Sequence, residues 1–192
     1  MPMTAPLNSD FSDCLIRSQD ADCAAKVSNI LLAEIPGSVG VYLAAKANDR
    51  RGVDIWVEMS SGTHLAIDLK TRNADWAHTH PLEDDLALET WSVIEKEVVG
   101  WTRDTTKRCD YVLWFWKDTG RFCLIPFPSL CRAFTDHWQV WKVRYKTSVQ
   151  RTAWSGGDYH SECIFVPRKV VWLAIYKRIG GVSDSLSRGV FL

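Results

Sequence analysis

Asp54-Ile-Trp-Val-Glu-Met-Ser-Ser-Gly-Thr-His-Leu-Ala-Ile-Asp68-Leu-Lys70 alternates apolar and polar residues on either side of a Ser60-Ser61-Gly62 break. A period of two marks strands with one face on a core, so the stretch predicts a β-hairpin. Ile55, Val57 and Met59 share a face with Leu65, Ile67 and Leu69. Asp54, Trp56 and Glu58 lie opposite, with His64, Ala66, Asp68 and Lys70. A three-residue loop needs a left-handed position, which Gly62 supplies. That loop pairs Met59 with Thr63 and sets Asp54 across from Asp68, their Cβ atoms ~4.5–5.5 Å apart. A slip of one residue would turn one strand's polar face into the core.

Two carboxylates side by side repel, and each raises the other's pKa unless a cation joins them. Hard oxygen ligands without thiolate or imidazole favour Mg²⁺ or Mn²⁺. Such an ion polarises a phosphodiester and lowers the pKa of an attacking water. Lys70, on the same face as Asp68, would stabilise developing negative charge. The plain alternative is a solvated hairpin face on which one salt bridge explains the trio.

Asp54, thirteen intervening residues and then Asp68-Leu69-Lys70 resemble the PD-(D/E)xK nuclease superfamily, whose members carry an acid on one hairpin strand and (D/E)-x-K on the next. The resemblance covers about residues 20–120, and Val53 stands where the motif's name has Pro. It implies a restriction-endonuclease-like α-β-β-β-α-β core, a mixed central sheet flanked by helices, and Mg²⁺-dependent phosphodiester cleavage. It makes Asp54 and Asp68 metal ligands and Lys70 the catalytic lysine. Many members add an acid from the preceding helix. The segment Asp20–Ile35 predicts that helix, stopped by Pro36-Gly37, and makes Glu34 the available carboxylate, with an exposed helix-end glutamate as the alternative. Glu89, on a strand over Leu86–Ile94, is the rival to Glu34 as a further ligand, with a solvated strand residue as its alternative.

The chain has 192 residues and balances 23 Lys and Arg against 23 Asp and Glu. That length suits one domain with a substantial core: a loose tail at 1–9, a nuclease-like core at 20–120 and a basic extension at 138–192. No run approaches the ~18 apolar residues of a membrane helix, and the N-terminus lacks signal-peptide features. Six cysteines without a C-x-x-C pair read as reduced, mostly buried thiols in a cytoplasmic protein. From Trp138 onward nine basic residues face three acidic ones, a net charge of +6. Lys142, Arg144, Lys146 and Arg151 there are candidate phosphate contacts, against the alternative of a solvated basic surface. Among ten tryptophans, Trp138, Trp141 and Trp154 could stack bases, whereas Trp91, Trp114 and Trp116 read as core.

Along the chain, Phe11–Arg17 reads as a short helix and Val39–Lys46 as the first strand. Thr71–Asp85 reads as a polar loop and Gly100–Arg108 as an exposed connection. Cys109–Trp116 is the best central strand, paired through Asp118–Arg121 with Phe122–Pro126. A helix over Ser129–His137, a strand over Trp138–Thr147, a strand over Cys163–Val166 and a helix from Pro167 to Ile179 complete the pattern. His78, His80 and Glu83–Asp85 lack the fixed spacing of a metal loop, and no phosphate-binding glycine motif is present. The resulting expectation is a Mg²⁺-dependent nuclease acting on DNA, from a mobile element or a repair pathway, with a homodimer as an allowed assembly. The alternative is a catalytically inactive nuclease-like fold that binds nucleic acid or protein, for example a mobile-element inhibitor of a host enzyme.

Overall fold

The structure, a computed structural model, describes residues 21–44, 52–153 and 157–178. The expected tail at 1–9, the helix at Phe11–Arg17, Trp154 and the chain beyond 178 lie outside these residues.

Helix α1 (Ala21–Glu34) buries Cys23, Val27 and Leu31, one every fourth residue, and Ile35 just beyond its end. That spacing keeps a single stripe against the sheet. Pro36 cannot continue the helix, and Gly37 (φ +82°) takes the left-handed stop while Ser38 Oγ donates to the Leu32 carbonyl. The chain then enters β1 (Ser38–Leu43), β2 (Ile55–Met59) and β3 (His64–Arg72). Within its ladder the hairpin has the expected register: Ile55 faces Ile67, Trp56 faces Ala66, and Met59 N–H donates to the Thr63 carbonyl across Gly62 (φ +81°). The ladder stops at Ile55, and the Asp54 N–H donates to the Ile67 carbonyl at 2.9 Å, so the expected Asp54–Asp68 pair is not one of its rungs.

The first sheet has the order β1-β2-β3-β6-β7, with β6 (Tyr111–Trp116) parallel to β3 and all other pairs antiparallel. Asp110 fixes that parallel register: its carboxylate accepts from Ala66 N–H at 2.7 Å and its own N–H donates to the Ala66 carbonyl. The turn at Asp118–Arg121 joins β6 to β7 (Phe122–Pro126) as expected.

The helix that the resemblance implies between β3 and the parallel strand is replaced. One helical turn, α2 (Trp76–Thr79), leads to β4 (Asp85–Val93) and β5 (Val98–Val99). These pair with β9 (Tyr159–Pro167) and β8 (Thr147–Thr152) in a second, antiparallel sheet of order β5-β4-β9-β8. The crossover therefore runs through a sheet, because Leu86 and Leu88 alternate as strand residues and are fully buried.

Two further expectations change. Residues 138–144 are not a strand, because helix α3 runs from Phe127 to Arg144. Its buried residues Phe127, Leu130, Cys131, Phe134 and Trp141 follow a helical spacing that outweighs the weaker alternation after Trp138. The strand at Cys163–Val166 is longer, Tyr159–Pro167, and helix α4 follows at Arg168–Arg178.

The first sheet is covered on both faces. Ile55, Val57, Ile67, Leu113 and Phe115 pack on α1, whereas Val112, Trp114, Trp116 and Ile125 share a core with Leu88 and Ile164 of the second sheet and with α3 and α4. A charge cluster ties these layers. The Arg121 guanidinium meets both Asp75 oxygens at 2.6 Å, and Asp84 links Arg121 to Arg168 at 2.7 and 2.8 Å. The Asp75 side chain is 1% exposed, and the Arg121 hydrogen bonds hold its carboxyl below the usual range.

Removing one partner of such a pair leaves a charge stranded. Asp75→Ala should lower the unfolding free energy by about 3 kcal/mol in urea titrations, the low end for a buried pair because Arg121 keeps some solvent contact. The difference from wild type should shrink as the pH falls below the carboxylate range, where Asp75 must take a proton. An unchanged midpoint would show that the cluster adds nothing.

Candidate active site

Asp68 occupies the central strand β3 on the face turned away from α1, and it is 3% exposed. Its Oδ1 lies 2.7 Å from Lys70 Nζ, the ammonium two residues along on the same face. Asp54 sits one residue before β2, and its Oδ2 accepts the Leu69 N–H at 2.7 Å. That bond pins Asp54 to the backbone between Asp68 and Lys70.

Burial, and next the charge of Asp68, push the Asp54 carboxyl up to about 6. The Leu69 N–H and the Lys70 ammonium oppose this, and hydrogen bonding with the Asp68 carboxyl adds to it. Asp68 thus acts on Asp54 both as a charge and as a hydrogen-bonding neighbour. Lys70 is pulled down by burial, but Asp68, Asp54 and Glu89 outweigh that pull, and its pKa is raised. At neutral pH Lys70 is an ammonium.

Glu89 reaches this cluster from β4 of the second sheet, so its field acts across the layer boundary on Lys70. Its Oε2 accepts from Trp101 N–H at 2.9 Å and Ser92 Oγ at 2.6 Å. Glu34 is not brought to the site. It is exposed at the end of α1, and the Gly37 carbonyl three residues on accepts from Ser60 N–H, at the turn end of the hairpin. Asp54 lies at the opposite end, six residues from Ser60 along the strand, or ~20 Å.

The basic extension is partly neutralised from within. Lys142 pairs with Glu162 at 2.8 Å, Arg151 pairs with Asp158, and Lys146 Nζ lies 5.5 Å from the Phe165 ring. Trp141 is core, and Trp138 packs edge-on against Trp91 with the Arg103 guanidinium 4.3 Å from both rings. Neither is presented as an open base-stacking platform.

The connection after β5 is not exposed as expected. Thr102 is fully buried, and its Oγ1 accepts the Glu89 N–H at 2.8 Å, while Lys70 Nζ lies 4.7 Å from the Trp101 ring centroid. Two cysteines also border the site: Cys109 feels the charges of Asp68 and Lys70, and Cys163 feels Glu89, but burial comes first in pushing both thiols up to about 12. The five described cysteines are free thiols, four of them buried.

The donor set suits a hard cation. Asp54 and Asp68 each retain a second carboxylate oxygen outside the bonds to Leu69 and Lys70, and a positive ion would relieve their mutual repulsion. Among the described residues no three His, Cys, Asp or Glu side chains converge as a metal-holding group. Mg²⁺ sites built on one or two carboxylates with water and phosphate oxygens need no third.

Comparison with family models, with curated proteins and with solved structures finds no match.

Because folding raises the Asp54 pKa from 3.8 to about 6, the native state holds an extra proton between those values. Its stability therefore falls as the pH rises through that window. Two pH units correspond to at most about 3 kcal/mol. In EDTA at pH 7.5, Asp54→Asn, which keeps an acceptor for Leu69 N–H, should unfold at higher urea than wild type, and the gap should close toward pH 4. A variant less stable than wild type at pH 7.5 would show that the charged Asp54 is not strained.

Proposed function

We propose that the protein is a Mg²⁺-dependent nuclease that hydrolyses phosphodiester bonds in DNA. The observation that carries this is the trio itself: the Asp68 carboxyl on β3, the Asp54 carboxyl just ahead of β2 that feels its charge, and an ammonium 2.7 Å from Asp68. In this reading α1, β1–β3 and β6 form a restriction-endonuclease-like core, and the strands β4 and β5 stand in for its crossover helix.

Mg²⁺ or Mn²⁺, when bound, would polarise the phosphate and acidify the attacking water. Asp54 and Asp68 would hold the ion. Lys70 acts in its charged form: Asp68 and Glu89 keep it protonated, so it serves as a hydrogen-bond donor to the phosphate or the water rather than as a base. A preoriented donor of this kind stabilises the charge that grows on phosphate oxygens as the P–O bond breaks. Glu89 acts on Lys70 by its charge, while its Oε2 is held by Trp101 and Ser92. Since Lys142 and Arg151 already face Glu162 and Asp158, the grip on the DNA backbone falls chiefly to Arg144 and Lys146.

One observation favours a second reading, a catalytically inactive platform for nucleic acid or protein. Lys70 already neutralises Asp68, which is nearly sealed between the two sheets. Such a platform would bind DNA equally in Mg²⁺ and in EDTA and cut it in neither.

Purified protein should cut DNA with Mg²⁺ and not with EDTA. Asp68→Ala and Lys70→Ala should each lower the rate by at least about 10²-fold with their folds intact by circular dichroism. Undiminished cleavage by both variants would refute the assignment.

A further inference from the structure

We propose that Trp101 is the positioning residue for Lys70: its indole face, anchored through Glu89, roofs the ammonium and holds it against Asp68. Lys70 Nζ lies 4.7 Å from the Trp101 ring centroid, inside the range in which a ring face attracts a cation. With Asp68 Oδ1 at 2.7 Å, the ammonium is held by a carboxylate and by a ring. A lysine carries four rotatable bonds and a compact charge, so two such contacts decide where that charge sits.

The roof is fixed by tight stitching between residues 89–90 and 100–102. Gly100 N–H donates to the Thr90 carbonyl at 3.0 Å, Trp101 N–H to Glu89 Oε2 at 2.9 Å, and Glu89 N–H to Thr102 Oγ1 at 2.8 Å. Gly100 lies so close to β4 that a Cβ there would sit 2.3 Å from the Glu89 carbonyl oxygen. From behind, Trp101 packs against Trp114 and Phe127, with centroids 5.9 and 6.4 Å away. The indole is thus immobilised by the crossover that replaces a helix, and the same segment brings Glu89 to Lys70. Glu89 and Trp101 act on the lysine together, one by charge and one by contact.

This rests on the nuclease reading only for its kinetic consequence, so the test has two arms. The first observes the Lys70 side chain by NMR, with ¹³C-labelled lysine and assignment by Lys70→Arg. In the wild type the Lys70 methylene protons nearest the ammonium should be shifted upfield by the Trp101 ring current, apart from the other lysines. Trp101→Leu should return them to the common position. Trp101→Phe, which keeps packing on Trp114 and Phe127, should retain part of the shift. Glu89→Gln should preserve it and Glu89→Ala should reduce it, because the amide still accepts the Trp101 N–H. Wild-type Lys70 signals among those of the other lysines would overturn the proposal without any variant. The second arm is cleavage: Trp101→Leu should lower kcat about tenfold with KM within about twofold. A shifted Lys70 signal in a protein that cuts no DNA keeps the positioning role and sinks the nuclease reading. An ordinary signal in an active enzyme does the reverse.

Discussion

A carboxylate on the middle strand of a sheet, covered by a second sheet, is the constraint around which this molecule is arranged. Burying an ionised acid costs several kcal/mol unless a partner compensates it. Asp68 has that partner in Lys70, drawn from its own strand two residues along. Lys70 is itself largely buried, so its charge needs support, and Asp54 and Glu89 supply it from two further elements. Asp54 in turn is placed by the backbone N–H of Leu69, the residue between the first two. Three of the four groups thus come from one hairpin, and the fourth comes from the crossover that returns to the sheet.

The hairpin was legible in the sequence because its pattern is local. Period-two alternation sets the faces, and Gly62 sets the loop length, so the register follows without tertiary information. Helix α1 was legible for the same reason, with its fourfold spacing and the Pro36-Gly37 stop. The segment after His137 was not, because Trp138–Thr147 carries a weak alternation that competes with the helical spacing of Phe134 and Trp141. The second sheet was equally hidden, since β4 meets β9 some eighty residues later. Pairings of that range leave no mark on either segment taken alone.

The same distinction separates the parts of the site. Asp54, Asp68 and Lys70 are readable from spacing, and Glu89 from its place on a strand. What Glu89 does was not readable, because its partners Ser92 and Trp101 are defined by the folded crossover. Trp101 lay in a stretch that reads as a solvated connection, and only Gly100, the one residue able to press against β4, signals a close approach there. Glu34 shows the converse failure. It has the right chemistry on the right helix, but α1 covers the other face of the sheet and ends beside the hairpin turn.

Burial and the charge of Asp68 both oppose the ionised form of Asp54, an arrangement that a cation would relax, and the functional account stands on that point. Its most direct test is calorimetric titration of the protein with Mn²⁺ at pH 8, compared with Asp68→Ala. The account predicts saturable binding of one ion per chain in the wild type, weakening as the pH drops below about 6 where Asp54 takes a proton, and no binding in the variant. A flat titration of well-folded wild-type protein, or equal binding by Asp68→Ala, would contradict it.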